Sequence, residues 1–324
     1  MQKLVPWSKI WVVSIANALK EEKFYSYWLK SINRIFTKHL SFDVEYWDNI
    51  LNPVEWVSPE KRAEDINKFI NDPETKAIWP IWWGAFTNEI LPYIDREVFK
   101  KDPKVVCWFS DITALNNAIY AKTWEISFSG PNFGGFSPSK YGSLENYFYF
   151  KKMVIAHQET DLDFHEFYYD MSADQDEYPW GIIEDGWKKV IRDWVAEWTI
   201  VWGNISTFSL LFGTEFMPDL KNKVLFLEEC PEESIWSIRR MLMQLKNQPD
   251  FDKIAWIVFG RINQGCLKDY DITWEGTVND FAKDLEVPVL MNAQFWHIAP
   301  IQTFPIWWTM KIDTFQEKYR MKVE

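Results

Sequence analysis

Over its first 123 residues the chain alternates short apolar runs of strand length with segments of helical periodicity, and this alternation restricts the fold more than any other feature. Lys9–Ser14, Phe42–Tyr46, Ala77–Ile81 and Val105–Phe109 read as strands, with helices expected over Leu19–Thr37, after Ser58, and over Asp111–Thr123. Ser58-Pro59-Glu60 supplies an N-cap, a first-turn proline and an early acid, and Ala63, Ile66, Phe69 and Ile70 form an apolar helical stripe. Strands joined through helices run parallel. The expected fold class is therefore α/β, beginning with a parallel, doubly wound, Rossmann-like sheet whose site lies at the C-terminal strand edge.

The pattern changes after Gly130-Pro131. Phe133–Gly142 is glycine- and proline-rich, and Asp161–Tyr178 is acidic, aromatic and poorly periodic, so the domain boundary falls in this region. The division expected is an N-terminal domain over residues 1–165 and a mixed α/β domain over 166–324. In the second part we expect a turn at Trp202-Gly203-Asn204, a helix over Ile205–Phe212, and a strand at Val224–Leu227. A helix over Ser234–Leu245, a strand at Ile254–Phe259, a helix over Val278–Leu285, a strand at Val287–Leu290 and a last strand at Met310–Ile312 follow.

With 324 residues, 47% hydrophobic and 25% charged, the chain can bury one large or two medium cores. A net charge of −12 offers no basic stripe, which argues against nucleic-acid and anionic-membrane partners and favours a small-molecule or peptide ligand. No apolar run reaches the length of a membrane span. Lys3 and Lys9 ahead of IWVVSIANA mimic a signal peptide, but the apolar stretch is short and broken by Ser14; it reads as a first strand of a cytoplasmic protein. Cys107, Cys230 and Cys266 are widely separated, without metal-ligand spacing, and read as reduced thiols.

The stretch IWPIWWGAFTNEILPYID, Ile78–Asp95, has the form of a buried strand, a tight turn at Gly84 and a helix start carrying Thr87, Asn88 and Glu89. A hydroxyl at such a corner projects from the fold while neighbouring backbone N–H groups face whatever it attacks. On spacing alone an ordinary N-capped helix is the better account of it. The segment WGAFTNEILPYID resembles the nucleophile segment of the LD-carboxypeptidase family, which includes the microcin C self-immunity peptidases. That family segment has two glycines, a short loop, the catalytic serine, then Leu-Leu-Pro and a Leu-Asp or Ile-Asp pair. Thr87 stands at the serine position, and Trp83 at the first glycine.

The same glycine-to-tryptophan departure recurs at Trp7, Trp11, Trp108, Trp124, Trp198, Trp202, Trp256, Trp296 and Trp307, whereas Trp82 stands where some relatives carry tryptophan. Average usage of about 7% predicts roughly 23 glycines, yet the chain has 12, beside 21 tryptophans. Glycine is selected where φ is positive or a backbone must approach closely, and indole does neither cheaply. The pattern is that of a source reading UGA as glycine whose gene has been translated with UGA as tryptophan.

His39, His157 and His165 lack partner motifs and read as surface or structural residues. His297 follows an apolar strand in NAQFWHIAPIQTFPIW, where a core or loop histidine is the plain alternative. The resemblance assigns it to the family's Gly-His general base. Glu228 ends the strand VLFLEE, where a solvated acidic pair is the plain alternative; the family's Leu-Glu-Asp or Leu-Glu-Glu selects it over Glu229 as the acid of the triad. The resemblance thus implies an amide hydrolase with Thr87, Glu228 and His297 as triad and oxyanion donors near Gly84 and Asn88. Asn204, from the Gly-Gly-Asn-like turn, lines the site, and Ser110-Asp111 in FSDIT supports a turn. The implied substrate is an L,D-muropeptide or an aminoacyl-nucleotide, and the aromatic stretch Asn132–Tyr178 resembles the immunity branch. A homodimer is implied as well, and no metal or cofactor is required. The rival reading is a pseudo-enzyme that binds such a ligand without cleaving it, because the threonine β-methyl restricts χ1. A nucleotide-binding oxidoreductase is a weaker third, since G-x-G-x-x-G is absent.

Overall fold

The computed structural model describes residues 3–15, 29–48, 50, 57–81, 84–137, 142–170, 182–184, 188–193, 195–230, 232–262, 272–295 and 297–321. The first half is built on four parallel strands, β1 (Lys9–Val13), β2 (Asp43–Tyr46), β3 (Thr75–Pro80) and β4 (Val105–Val106), in the order β2-β1-β3-β4. Helix α1 (Pro59–Asn71) starts where the cap predicts: Ser58 Oγ accepts from Lys61 N at 3.3 Å, and Ala63, Ile66, Phe69 and Ile70 are buried. The short α2 (Thr87–Ile90) and α3 (Arg96–Lys101) follow β3, and α4 (Thr113–Thr123) follows β4. Most of the helix expected over Leu19–Thr37 lies outside the described residues; from residue 29 the chain is helical, with a last π-type turn at Ile35–His39.

The fourth strand is shorter than the apolar run Val105–Phe109 suggests. Cys107 keeps one bridge to Phe128 in β5 (Ser127–Ser129), and the chain then leaves the sheet, with Ser110 in the left-handed region at φ 57°. Helix α5 (Ser143–Phe150) closes this half. The short strands β6 (Thr160–Asp161), β7 (Phe167–Asp170), β8 (Ile182–Glu184) and β9 (Lys189–Val190) lead into the second half.

The second half is organised by β10 (Val195–Asn204), β11 (Lys223–Glu228), β12 (Trp256–Gly260) and β13 (Val289–Ala293), all mutually parallel. The strands β14 (Ile298–Ala299), β15 (Phe304–Ile306), β16 (Thr309–Asp313) and β17 (Lys318–Met321) follow. The mixed eight-stranded sheet has the order β6-β17-β16-β10-β11-β12-β13-β9, with β16, β17, β6 and β9 antiparallel to their neighbours. Strand β6, although it precedes residue 165, pairs with β17, and β15 pairs with β5, so the two halves share backbone hydrogen bonds. The helices of this half are α6 (Ile205–Ser209), α7 (Ile235–Lys246) and α8 (Trp274–Ala282).

Several local expectations are corrected. Trp202-Gly203-Asn204 is the end of β10 and not a turn, because its backbone is held in register against Phe226–Glu228. Gly203 is needed there for packing: a Cβ would sit 2.5 Å from Phe208 Cβ, where α6 folds back on the strand. Helix α8 begins a turn earlier than Val278, since Thr273 Oγ1 accepts from Gly276 N at 3.0 Å. Strand β13 runs on to Ala293, and Met310–Ile312 is not in the last strand, because β17 returns against β16. Buried Val224–Leu227 and Ile257–Phe259 carry the core, each full apolar side chain contributing roughly 1.5–3 kcal/mol. Among the described residues, no helix is long and apolar enough to cross a membrane.

Three of the tryptophans read as replacing glycine, Trp7, Trp124 and Trp307, adopt φ of 69°, 65° and 76°, a region bulky L-residues avoid. Trp124 ends α4 in the left-handed cap conformation usually given to glycine, and its indole is 68% exposed; that of Trp7 is 80% exposed. Trp108, Trp202 and Trp256 are buried, while Trp83 and Trp296 lie outside the described residues.

Candidate active site

The chain leaves the C-terminal end of β3 at Ile81, passes Gly84 and enters α2 at Thr87. The residue at the N-cap is Phe86, which has no side-chain acceptor, so the first amides of this helix need one from elsewhere. Asp111 provides it. Its Oδ2 accepts from Phe86 N at 3.1 Å, Thr87 N at 2.9 Å and Thr87 Oγ1 at 2.5 Å. Burial pushes the Asp111 carboxyl up, outweighing the donors of Thr87 and Phe86 and the charge of Arg62, which all favour its ionised form.

Arg62, on the buried face of α1, braces the corner from the other side. Its Nη1 donates to Phe86 O at 3.1 Å, and its Nη2 to Glu89 Oε2. Gly84 and Asn88 flank Thr87 and are partly exposed, whereas Thr87 itself is buried. The amides of Phe86 and Thr87 are occupied by Asp111.

The second group of residues comes from adjacent parallel strand ends. Asn204 ends β10 and Glu228 ends β11, paired in register. Asn204 Nδ2 donates to Glu228 Oε1 at 3.0 Å and to Glu229 Oε1 at 2.8 Å. Its Oδ1 accepts from Thr207 N at 3.1 Å and Ser206 Oγ at 2.7 Å, capping α6. Asn204 is buried. Glu228 Oε2 lies 2.6 Å from His297 Nδ1, and His297 follows β13 in the strand-to-loop position expected.

Burial disfavours the protonated imidazole, but the charge and hydrogen bond of Glu228, with the charges of Glu229 and Glu232, overcome this and raise the His297 pKa. Glu229 is buried, accepting from Ser206 N at 2.7 Å and Cys230 N at 2.8 Å. Burial and the neighbouring Glu228 charge push it up to about 7.

Glu228, His297 and Asn204 therefore converge, and Thr87 sits on a separate corner. The loop after β4 touches both: the Phe109 ring packs edge-on against His297 at 5.1 Å, and Asp111 holds Thr87. No hydrogen bond joins Thr87 to His297 among the described residues, and apo catalytic contacts of this kind often tighten only with substrate. Asp111 does support a turn, as its motif suggests, but it also takes the Thr87 hydroxyl. The sequence places Arg62 in the 62, 66, 69/70 stripe of a helix, and so on its buried face, but carries no signal for its bonds to this corner.

His39 is exposed, and His157 packs edge-on against Trp308. Among the described residues Cys107 and Cys230 form no disulfide, and Cys266 lies outside them. A cavity of about 250 Å³ between α7 and α8, lined by Arg239, Lys246, Thr277 and Phe281, contains none of these groups.

The family models for the LD-carboxypeptidase N-terminal and C-terminal domains match residues 10–130 and 199–312. The chain is 30% identical over 285 residues to "Putative carboxypeptidase YocD" of Bacillus subtilis (strain 168), covering 85% of this chain and 84% of the relative. It is 28% identical over 269 residues to the microcin C7 self-immunity protein MccF of Escherichia coli, covering 78% and 76%. A structure of MccF in complex with aspartyl sulfamoyl adenosine superposes with a TM-score of 0.85 at 21% identity, over 100% of this chain and 99% of that one. The crystal structure of an MccF-like protein from Bacillus anthracis str. Ames superposes with a TM-score of 0.85 at 29% identity, over 100% and 99%. The two domain models, matched in order along the same α/β architecture, and the relatives matched over most of their length show that this chain belongs to the LD-carboxypeptidase family.

Proposed function

We propose that the protein is a hydrolase that cleaves an amide bond of an L,D-peptide or an aminoacyl-nucleotide through Thr87, His297 and Glu228. The observation that carries this reading is the 2.6 Å contact between His297 Nδ1 and the buried Glu228. With Nδ1–H donated to the carboxylate, Nε2 is left as the basic nitrogen, which is the tautomer a general base needs. His297 Nε2 takes the Thr87 Oγ1 proton as that oxygen bonds to the substrate carbonyl carbon. The carbonyl oxygen becomes an oxyanion facing the backbone near Gly84 and Asn88. Collapse breaks the C–N bond, and the leaving amine takes the proton from His297. Water, deprotonated by the same imidazole, then attacks the Thr87 ester; the acyl–Oγ1 bond breaks, His297 returns the proton to Thr87 Oγ1, and the acid is freed. Asn204 serves this scheme by fixing Glu228.

His297→Ala tests it. Release of the terminal D-amino acid from an L,D-tetrapeptide, and of the amino acid from an aminoacyl-nucleotide, should vanish while the circular dichroism spectrum stays unchanged. Unchanged release would remove His297 from the mechanism. The second reading, a binder without turnover, draws on one observation: the Thr87 hydroxyl is directed to Asp111, with a methyl beside it.

A further inference from the structure

We infer that Asp111 is a positioning residue for the nucleophile, selecting the Thr87 rotamer and tying that corner to His297 through the loop Phe109–Asp111. This rests on the reading of Thr87 as nucleophile. Threonine carries a hydroxyl and a methyl on the same carbon, so a wrong χ1 well puts the methyl where the hydroxyl belongs. In α2 the choice is made by an acceptor from another part of the chain: one oxygen of Asp111 gathers the hydroxyl and both corner amides.

The carboxylate is itself fixed. Asp111 is buried, and the left-handed Ser110 before it, φ 57°, turns Phe109 and Asp111 to different partners. Phe109 meets the His297 ring at 5.1 Å and 82°, while Asp111 meets Thr87. The segment Phe109–Asp111 thus contacts the base with one end and the nucleophile with the other. On substrate binding only the O–H turns, about the Cβ–Oγ1 bond, from Asp111 toward His297, so χ1 is kept while the two amide bonds hold the corner in place. The part Asp111 plays is that of an acceptor; its charge is not needed for proton transfer.

The test compares Asp111→Ala and Asp111→Asn in the wild-type and Thr87→Ser backgrounds, with kcat and KM expressed per folded protein. Asp111→Ala should lower kcat by about 30-fold or more with KM within about twofold, as misplacement of a reacting atom does. Asp111→Asn, whose amide oxygen can receive the same three donors, should recover most of that loss. In the Thr87→Ser background the penalty of Asp111→Ala should shrink to about fivefold or less, because serine has no methyl to misplace. A merely structural role would give the same penalty in both backgrounds and overturn the proposal. So would an unchanged kcat in Asp111→Ala, and an Asp111→Asn variant as slow as Asp111→Ala would make the charge essential and overturn it too. Should Asp111→Ala not fold, Asp111→Ser, whose hydroxyl falls short of Thr87, takes its place. Thr87→Ala separates the two readings: if it retains turnover, the nucleophile assignment fails; if it is inactive while Asp111→Ala is unimpaired, only the positioning role fails.

Discussion

Asn204 and Glu228 stand opposite each other at the ends of two parallel strands, and the Asn204 amide donates at 3.0 Å to the carboxylate whose other oxygen meets His297. The same amide reaches Glu229 at 2.8 Å, so one side chain serves two buried acids. This makes Asn204 a brace for the acid that orients the imidazole.

Asn204→Ala should therefore lower both stability and kcat. Hydrogen bonds to charged groups contribute about 1.5–3 kcal/mol, and losing the cap on α6 costs about 1 kcal/mol more. Urea unfolding and steady-state kinetics on the variant check this. A stability change below about 0.5 kcal/mol, the size of an ordinary surface substitution, would contradict the bracing role.

Glu229 should give stability a pH dependence of definite sign. Its folded-state pKa of about 7 lies above the ordinary 4.5, so its contribution is full below the ordinary value and is lost as pH rises through 7. Thermal midpoints of the wild type should fall between pH 5 and 8 more steeply than those of Glu229→Gln, which cannot ionise. Each pH unit of separation corresponds to about 1.4 kcal/mol, enough to resolve. The kinetic counterpart follows from the raised His297 pKa: activity is lost on the acid side as the base is protonated, and removing the Glu229 charge moves that limb to lower pH. Coincident profiles for the two proteins would sink the coupling.

Thr87→Ser keeps the hydroxyl and deletes the methyl, so hydrolysis should persist or rise, whereas Thr87→Ala should abolish it and leave binding largely intact. Calorimetry and product release on an L,D-tetrapeptide and an aminoacyl-nucleotide measure the two properties separately. Ligand binding without turnover in both the wild type and Thr87→Ser would replace the peptidase reading with a binding one.

Glycine at the exposed Trp7 and Trp124 should stabilise the fold by about 1 kcal/mol per site, because a left-handed backbone costs a side-chain-bearing residue about that much, whereas at Trp307, buried and stacked on Tyr120, the lost packing opposes that gain. Trp79→Gly is the contrasting control. Its indole donates to Pro131 O at 3.2 Å and packs against Phe136 and Phe150, so its removal should cost roughly 3–5 kcal/mol. Thermal melts compare them, and the gene should carry UGA at the three glycine-like positions; UGG there would end the recoding argument.

By itself the sequence determined what short stretches of backbone decide. The Ser58-Pro59 cap and the 63, 66, 69, 70 stripe specify α1 within one helix, and the runs in β3 and β11 are legible because a strand buried on both faces must be continuously apolar. The positions of Glu228 and His297 were legible from family motifs joined to strand ends, and the structure brings that pair together at 2.6 Å. Tertiary structure alone decided the rest. Trp202-Gly203-Asn204 looks like a turn in isolation and becomes a strand end because β11 supplies its hydrogen-bond partners, and β17 exists only through pairing with β16 and β6. Asp111 meets Thr87 across 24 residues of chain, and Asn204 meets Glu228 across 24 more. Such contacts depend on sheet order and register, which no local propensity encodes; the raised pKa values of Asp111 and Glu229 follow from the burial that this register imposes, and that of His297 from the Glu228 charge brought beside it against the effect of burial.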